Sequence, residues 1–486
     1  MSELLKLQPA NLWKNFNSLC NIPRPSKFEA KVIDFVVQFA KDHKLNYKTD
    51  AVGNVTISKP ATKGMENLTT VVMQSHLDMV PQKNSDTKHN FETDPIQPYI
   101  DGEWVKAKGT TLGADNGIGV SSILAILESD NIPHGPIEAL FTIDEETGMT
   151  GAFGLSPDFV SGKILMNLDS EDEGELFIGC AGGMNFTATF DFAKEPITGE
   201  VNAYKLSLKG LKGGHSGVDI HLGRGNSNKL LNRFMWNAEH YFGMRLCSID
   251  GGSLRNAIPR ESFAVVTVPK DVEKDFLKSI GEFRQMYQRE LSAVENEIIF
   301  TAEPIQMPAY WIDCKTQQLL LDSLYAMPNG VIRMISEMPD VVETSTNLAI
   351  VKSDDSQIKV MCLLRSSIES AKKDLGNMIE SIFDMAQAKT LHDGDYPGWK
   401  PDVNSPILKT MKSVYKKLYG NEPQIKVIHA GLECGIIGDV YPEMDMISFG
   451  PTIRYPHSPD EKVNIASVEK FWKYLIETLK EVPVKS

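Results

Sequence analysis

The chain has 486 residues, of which 42% are hydrophobic and 23% are charged. This composition is typical of globular proteins and unlike that of disordered chains, and at ~100–200 residues per domain the length predicts two or three domains. Lys and Arg total 50 against 64 Asp and Glu, a formal net charge of −14, which disfavours a nucleic-acid or anionic-membrane partner. The excess of carboxylates fits either an ordinary solubilising surface or acids gathered around cations.

The cysteines and the N-terminal residues predict a soluble protein of the reducing cytoplasm. The six cysteines are widely separated and include no Cys-x-x-Cys pair, so free buried thiols are expected. The N-terminus carries no basic region followed by an apolar run and a cleavage site, and no segment has ~18 uninterrupted apolar residues. No membrane partner is therefore expected.

The first part of the chain alternates predicted helices and strands. Residues 26–29 match a capping box, and residues 32–40 continue with apolar side chains at helical spacing. Short apolar segments predict strands over residues 68–73, 137–143 and 164–168, with a helix over residues 116–127. This alternation favours an α/β fold with a mixed, mostly parallel sheet flanked by helices.

A second domain is predicted over residues 186–390, where strands alternate with long charged helices. The predicted strands are 204–208, 263–268 and 358–364, and the predicted helices are 228–239, 272–291 and 371–386. A Pro- and Gly-containing segment, 393–399, is typical of a linker. A strand at 444–449 and an amphipathic helix beyond it complete the first domain. The first domain then comprises residues 1–185 and 391–486, with an α+β domain inserted.

Potential metal ligands follow each predicted strand of the first domain. His76 and Asp78 follow the first strand, Glu145 and Glu146 the second, and Asp169 the third. In open α/β sheets ligands bind outside the carboxyl ends of strands, so these side chains are expected to converge. Taken singly, His-x-Asp is more often a hydrogen-bonded pair and Asp-Glu-Glu a solvated helix start. Their joint occurrence after strands is what indicates a site.

Two further residues extend this set. Asp115 lies in the Gly-rich turn 113–117 before a predicted helix, and His457 lies in the constrained loop 454–459. Acidic groups that converge repel one another unless a cation compensates them. Oxygen and nitrogen ligands without thiolate suit Zn²⁺ in a catalytic site, with Mn²⁺ or Co²⁺ as substitutes.

The order of these motifs resembles the co-catalytic dinuclear zinc peptidases, a family that includes aminoacylases, glutamate carboxypeptidases and carnosinases. The resemblance spans nearly the whole chain and rests on His76-x-Asp78 and on residues 113–117, 144–148, 167–170, 213–217 and 456–458. Segments 251–260 and 428–435 are most similar to members that cleave Xaa-His dipeptides.

The resemblance implies two divalent metal ions and a ligand set. Asp115 would bridge the ions, with His76 and Asp169 completing one site and Glu146 and His457 the other. Two cations ~3.5–4 Å apart can share a bridging hydroxide that attacks the substrate. The resemblance implies that the inserted domain is a lid on a catalytic domain. It also implies that the peptide bond after Asp115 is cis.

The resemblance also implies roles for residues outside the ligand set. Glu145 would be the general base and Asp78 would orient His76, the alternatives being a surface charge and a plain hydrogen-bonding residue. The implied substrate-binding residues are His215 for the oxyanion, from the same or a partner chain, Arg365 and Asn256 for the carboxylate, and Glu433 for the free α-amine. An ion pair on a sheet edge is the alternative for Arg365.

The predicted function is hydrolysis of short unblocked L-dipeptides, including Xaa-His and β-alanyl-histidine. An N-acyl amino acid acylase or carboxypeptidase of the same family is one alternative. A non-catalytic metal-binding protein on this fold is the other. The expected partners are a small peptide and, in a homodimer, a second copy of the chain.

Overall fold

The computed structural model describes residues 3–485 and divides into two compact units. The first unit contains the chain through Cys180, Trp399–Val427, and the chain from Leu432 onward; the second contains Ala181–Gly398 and Ile428–Gly431. The second unit therefore extends further than the segment 186–390 expected from the sequence. No helix in the described residues is both long and apolar enough to cross a membrane. The six cysteines are free, and all except Cys314 are buried.

Over the described residues the α-helices are α1 (Ala10–Cys20), α2 (Ala30–Asp42), α3 (Ala114–Leu127), α4 (Thr150–Phe153), α5 (Ser227–Phe242), α6 (Glu273–Glu290), α7 (Cys314–Ala326), α8 (Glu369–Met385), α9 (Pro406–Tyr419), α10 (Glu433–Val440) and α11 (Ile465–Lys480). The strands are β1 (Asn46–Thr49), β2 (Val55–Lys59), β3 (Val71–His76), β4 (Pro98–Asp101), β5 (Trp104–Ala107), β6 (Ile137–Thr142), β7 (Ile164–Asn167), β8 (Glu175–Cys180), β9 (Gly182–Asp191), β10 (Lys194–Glu195), β11 (Val201–Lys209), β12 (Gly214–His215), β13 (Arg245–Gly251), β14 (Ala257–Ile258), β15 (Ser262–Pro269), β16 (Ile299–Pro304), β17 (Trp311–Ile312), β18 (Gly330–Ile335), β19 (Met338–Ser353), β20 (Gln357–Ser366), β21 (Lys389–Tyr396), β22 (Gln424–Ile428), β23 (Asp445–Ser448), β24 (Ile453–Arg454) and β25 (Lys462–Asn464).

The main sheet of the first unit has a parallel centre. Its strand order is β1-β2-β6-β3-β7-β23-β8-β22, and β6, β3, β7 and β23 run parallel to their neighbours within that group. Every residue of β3 is buried, and so is all of α3 except Asp115. Parallel strands are covered on both faces, which explains these nearly continuous apolar sequences. The predicted α/β fold is confirmed, and the carboxyl ends of β3, β6 and β7 lie at one edge.

The second unit is built on an antiparallel sheet. Its order is β16-β11-β15-β13-β19-β20-β9-β21, with β18 beside β19. An aromatic core that includes Phe186, Phe234, Phe276 and Phe300 packs with it. The predicted strands and helices of this region are present, with ends that differ from the predictions by one to three residues.

The predicted linker at residues 393–399 is wrong over its first half. Asp393 and Tyr396 belong to β21 and pair with Asn185 and Gly183 of β9. The Asn185 side chain also donates a 2.7 Å hydrogen bond to the Asp393 carboxylate. Pro397 ends the strand because proline has no N–H to continue the ladder. Strand pairing, which local composition does not reveal, decides the structure here.

The predicted capping box at residues 26–29 is also wrong. The Ser26 hydroxyl donates to Asp78 Oδ2 at 2.7 Å, and Glu29 Oε1 accepts from the N–H groups of Lys27 and Asp144 at 2.7 and 3.2 Å. Helix α2 begins at Ala30 without a side-chain cap. Ser26 and Glu29 thus each bond to a residue distant in sequence, Asp78 and Asp144, since buried polar atoms require hydrogen-bond partners.

Candidate metal centre

The candidate metal ligands converge at the carboxyl edge of the first unit's sheet. They come from separate segments: His76 ends β3, Asp115 begins α3, Glu146 follows β6, Asp169 follows β7, and His457 lies in the loop after β24. Three potential ligand atoms lie within 4.8 Å of one another, one from each of His76, Asp115 and Glu146. The fold therefore brings together residues that are up to several hundred positions apart.

Asp115 lies between the two imidazoles. Its Oδ1 is 3.2 Å from His76 Nε2, and its Oδ2 is 3.3 Å from His457 Nε2. Asp169 Oδ1 lies 3.4 Å from the same His76 nitrogen, and Glu146 Oε2 lies 3.0 Å from the same His457 nitrogen. Nε2 of each imidazole thus faces two carboxylates, and Asp115 contributes one oxygen to each group.

The chemistry of these groups fits divalent cations. Glu146 Oε1 is buried and has no hydrogen-bond partner among the described residues. Hydrogen bonds to Asp115 and Glu146 raise the pKa of His457 to about 11, so these carboxylates stabilise positive charge between them. Burial, reinforced by the Asp115 and Glu146 carboxylates, raises the pKa of Asp169 to about 6 despite the neighbouring His76. Nitrogen and oxygen ligands without thiolate suit Zn²⁺, Co²⁺ or Mn²⁺.

Asp78 supports both the ligand His76 and the loop that carries Glu145. Its Oδ1 lies 3.3 Å from His76 Nδ1, the nitrogen opposite the one that faces Asp115. The same carboxylate accepts from the N–H groups of Glu145 and Glu146 at 3.1 and 3.3 Å. Burial disfavours its charge, but the neighbouring His76 imidazole and the hydrogen bonds from the Ser26 hydroxyl and the Glu145 N–H prevail and lower the pKa of Asp78 to about 2. Asp78 is therefore an ionised carboxylate beside Nδ1 of His76.

Glu145 is a carboxylate beside the cluster. Burial, together with the charges of Asp169, Glu433 and Glu146, raises its pKa well above the usual range, although His76 acts in the opposite direction. A carboxylate with a raised pKa holds a proton more readily, which is what a group that accepts and returns a proton needs. Glu145 is half-buried, so it is not a fully solvated surface charge.

Glu433 also lies in the first unit, at the start of α10. Its side chain is buried, and its Oε2 accepts from Gln74 Nε2 at 2.6 Å and from the Thr142 hydroxyl at 2.8 Å. Its Oε1 has no partner among the described residues. Burial, with the charge of Asp169, raises the pKa of Glu433 to about 7.

His215 and Asn256 lie in the second unit, on neighbouring segments. His215 Nδ1 accepts from the N–H groups of Gly217 and Val218 at 3.2 and 3.0 Å, so the neutral ring carries its proton on Nε2. Burial and the charge of Arg365 lower the pKa of His215 and favour this neutral form. Asn256 is exposed, and its main-chain carbonyl accepts from Ser216 N–H at 2.8 Å.

Arg365 is a buried cation in the interior of the second unit's sheet. It lies on β20, between Ser345 of β19 and Gly183 of β9, so the alternative of an edge-strand ion pair is wrong. Its side chain forms no salt bridge within the described part of the chain and donates to the Tyr396 hydroxyl at 3.0 Å. Its Nε is buried without a partner. A guanidinium in this state has donors available for an anion.

Some residues that organise the centre were not identified from the sequence. Asn116 donates to the Leu168 carbonyl at 2.8 Å and to the Asp169 carboxylate. Its position beside Asp115 in the Gly-rich turn was a usable signal. Arg24 and Glu461 contact the same turn from distant segments, and no local pattern marks them. The peptide bond between Asp115 and Asn116 is cis.

Paired carboxylate–imidazole groups around a shared aspartate, beside another carboxylate, are typical of metal-dependent hydrolases. Comparison with known proteins agrees: the model of peptidase family M20/M25/M40 matches residues 72–481, and the chain belongs to this family. It is thus a peptide hydrolase of a family that uses divalent metal ions.

Two relatives match the full length of the chain. The chain is 49% identical over 486 residues to cytosol non-specific dipeptidase from Escherichia coli (strain K12), covering all of both sequences. It is also 49% identical to aminoacylhistidine dipeptidase from Vibrio alginolyticus, whose crystal structure superposes with a TM-score of 0.97 over 100% of this chain and 99% of that one. The aminopeptidase PepT structure from Bacillus cereus, 16% identical with a TM-score of 0.58 over 98% and 99% of the chains, shares the fold.

Proposed function

We propose that the protein is a metal-dependent dipeptidase that cleaves short unblocked L-dipeptides, including Xaa-His and β-alanyl-histidine. The observation that carries this proposal is the Asp115 carboxylate, with one oxygen facing each of two imidazoles and with Glu145 nearby. The two relatives that are 49% identical over the full chain are both named as dipeptidases. The first is also named as cytosolic, which supports a cytoplasmic location. A homodimer stays a prediction.

Two divalent ions, with Zn²⁺ as the first candidate, would be held by His76, Asp115, Glu146, Asp169 and His457. When bound, such ions polarise the scissile carbonyl and lower the pKa of water. Asp78 holds the His76 ring so that its Nε2 faces Asp115 and Asp169. A fixed imidazole loses less freedom on binding an ion, and its ionised partner raises its basicity.

Glu145 acts as the general base in this proposal. Its carboxylate takes the proton from the attacking water and returns it to the nitrogen of the leaving amino acid. The hydrogen bond from Glu145 N–H to Asp78 fixes the main chain at this position. His215, neutral and protonated on Nε2, donates to the oxygen on which negative charge develops.

The two ends of a dipeptide are recognised by charges of opposite sign. Arg365, assisted by Asn256, binds the free carboxylate, because among the described residues its Nε has no partner and no acid forms a salt bridge with it. Glu433 binds the free α-ammonium group, since one oxygen of this buried carboxylate is unpaired. Burial makes such charge-assisted contacts strong and makes their absence costly.

A panel of dipeptides with free and blocked ends tests this function. The metal-loaded protein should hydrolyse unblocked Ala-His and β-alanyl-histidine, with kcat/KM at least about 100-fold lower for the N-acetylated or C-amidated forms, because blocking removes one charge pair. Equal rates for the amidated form would contradict the role of Arg365. Preference for the N-acetylated form would identify an acylase or carboxypeptidase instead, and release of no amino acid from any member would overturn the proposal.

A further inference from the structure

We propose that Glu461 and Arg24 are positioning residues that set the Asp115 carboxylate for metal binding by holding the turn Leu112–Asp115 between two buried charges. This inference rests on the metal-dependent function proposed above. Neither residue is a metal ligand, and neither is part of the motifs that define the site. All the contacts that carry it lie within the first unit.

Glu461 binds the turn through its main-chain N–H groups. Its Oε2 accepts from Leu112 and Gly113 at 2.7 and 2.9 Å, and its Oε1 accepts from Ala114 and Asp115 at 2.8 and 3.2 Å. The side chain is 1% exposed. Four consecutive N–H groups thus converge on the two oxygens of one carboxyl group. The main chain that carries the Asp115 side chain is therefore fixed on this side.

Arg24 binds the turn from its carbonyl side and connects it to the segment after β3. Its Nη2 donates to the Gly113 carbonyl at 2.5 Å, and its Nη1 donates to the carbonyls of Leu77 and Asp78 at 2.8 and 2.7 Å. The side chain is 3% exposed. One planar guanidinium thus links the segment that follows the ligand His76 to the turn that carries the ligand Asp115.

Two glycines, Gly113 in the turn and Gly117 just after it, leave room for this guanidinium. A Cβ at Gly113 would lie 2.6 Å from Arg24 Nη2, and one at Gly117 would lie 2.7 Å from the same atom. Gly113 also has a φ of +69°, which favours glycine. The Gly-rich sequence around Asp115 is therefore explained by the buried arginine as well as by the turn conformation.

Each of the two charges is compensated by the turn and not by a direct ion pair. Within the described residues, neither Arg24 nor Glu461 has an oppositely charged group within salt-bridge distance. Both Glu461 oxygens accept from main-chain N–H groups of the turn, and Arg24 donates to one turn carbonyl and to two carbonyls of the segment after β3. A buried charge that loses its hydrogen bonds raises the free energy of the folded protein. Displacement of the turn, which would break these bonds, is therefore unfavourable. This arrangement keeps Asp115 between His76 and His457 before any metal binds.

The variant Glu461→Gln tests the inference. Its amide nitrogen cannot accept from the N–H groups of Ala114 and Asp115, so the turn should loosen. We expect Zn²⁺ affinity of the metal-free protein, measured by competition with a chromophoric chelator, to fall about 10–100-fold. Amide hydrogen exchange at residues 113–115 should accelerate in the same protein.

The matched control is Glu295→Gln in the second unit. Glu295 is also a buried carboxylate, and it accepts from the N–H groups of Lys212 and Gly225 at 2.8 and 2.9 Å. This variant should lower the unfolding temperature without changing Zn²⁺ affinity. Should Glu461→Gln not fold, Arg24→Lys decides the question, because an ammonium group lacks the planar fork that reaches these carbonyls. It should also weaken Zn²⁺ binding.

Two outcomes would overturn the inference, and they are distinguishable. The first outcome is that the parent protein binds Zn²⁺ and that the folded Glu461→Gln or Arg24→Lys variant binds it with an affinity within twofold of the parent's. In that case the contacts of Glu461 and Arg24 with the turn serve only stability, and the proposed function stands. If the parent protein binds no divalent ion, the proposed function fails and the inference fails with it.

Discussion

The Glu145→Gln variant should retain its metal ions and lose about 10²–10⁴-fold in kcat for dipeptide hydrolysis, the range typical of a lost general base. Glutamine has nearly the same shape but cannot accept the proton of the attacking water. The hydrogen bond from its N–H to Asp78 is a main-chain contact, so the substitution leaves the loop in place. Measurement of kcat and KM with bound metal determined on the same sample checks the prediction.

The neighbouring residue provides the matched comparison. Glu146→Gln changes the adjacent carboxylate, whose Oε2 lies 3.0 Å from His457 and whose Oε1 has no hydrogen-bond partner among the described residues. This variant should lose metal affinity, whereas Glu145→Gln should not. A Glu145→Gln protein that retains its metal and turns over within tenfold of the parent would contradict the general-base role.

The Asp115→Ala variant should lose affinity for both metal ions, since Asp115 faces both imidazoles. His457→Ala removes a side chain whose ion-pair contacts within the described residues are with Asp115 and Glu146, and it should leave one ion bound. Elemental analysis after dialysis against a fixed free Zn²⁺ concentration separates the two cases. We expect less than one ion per chain for Asp115→Ala and about one for His457→Ala, on the two-metal arrangement.

The fold of the metal-free Asp115→Ala protein should be preserved. The turn is held through its main-chain N–H groups by Glu461, and these contacts do not involve the Asp115 side chain. Thermal unfolding of the metal-free variant and of the metal-free parent provides the control. Two tightly bound ions in the Asp115→Ala protein would contradict the central position of this carboxylate.

The convergence of the candidate metal ligands was predictable from the sequence because these residues follow recognisable strands. His76, Asp169 and Glu146 each come shortly after an apolar β segment, and Asp115 lies in a conspicuous Gly-rich turn. Strand ends of a parallel sheet meet at one edge, so the convergence of these residues follows from local patterns and one rule of topology.

The supporting contacts were not predictable in this way. Arg24 bonds to Leu77 across 53 positions, and Glu461 bonds to Asp115 across 346. Such pairs leave no periodic signal, and Arg24 precedes a segment that satisfies the capping-box pattern by chance. Ser26 matches that pattern, yet its hydroxyl donates to the buried carboxylate of Asp78. A buried carboxylate requires hydrogen-bond donors, and Ser26 is one of those that Asp78 has.

The extent of the second unit depends on similar long-range contacts. Residues 428–431 belong to it although the neighbouring segments belong to the first unit. His429 is buried there, with its Nε2 2.7 Å from the Ser345 hydroxyl. Burial and the charge of Arg365 lower the pKa of His429 to about 3, so its ring is neutral. A short excursion of this kind has no compositional boundary to mark it.

Titration of metal-free protein with Zn²⁺ is the most direct test of the central claim. Protein stripped with a chelator should release no histidine from β-alanyl-histidine, and activity should return as Zn²⁺ is added and reach its plateau near two equivalents per chain, as a two-metal site requires. Full hydrolysis by protein that retains less than about one tenth of an equivalent of metal would contradict the account, because metal-independent catalysis would leave the ligand cluster without a role.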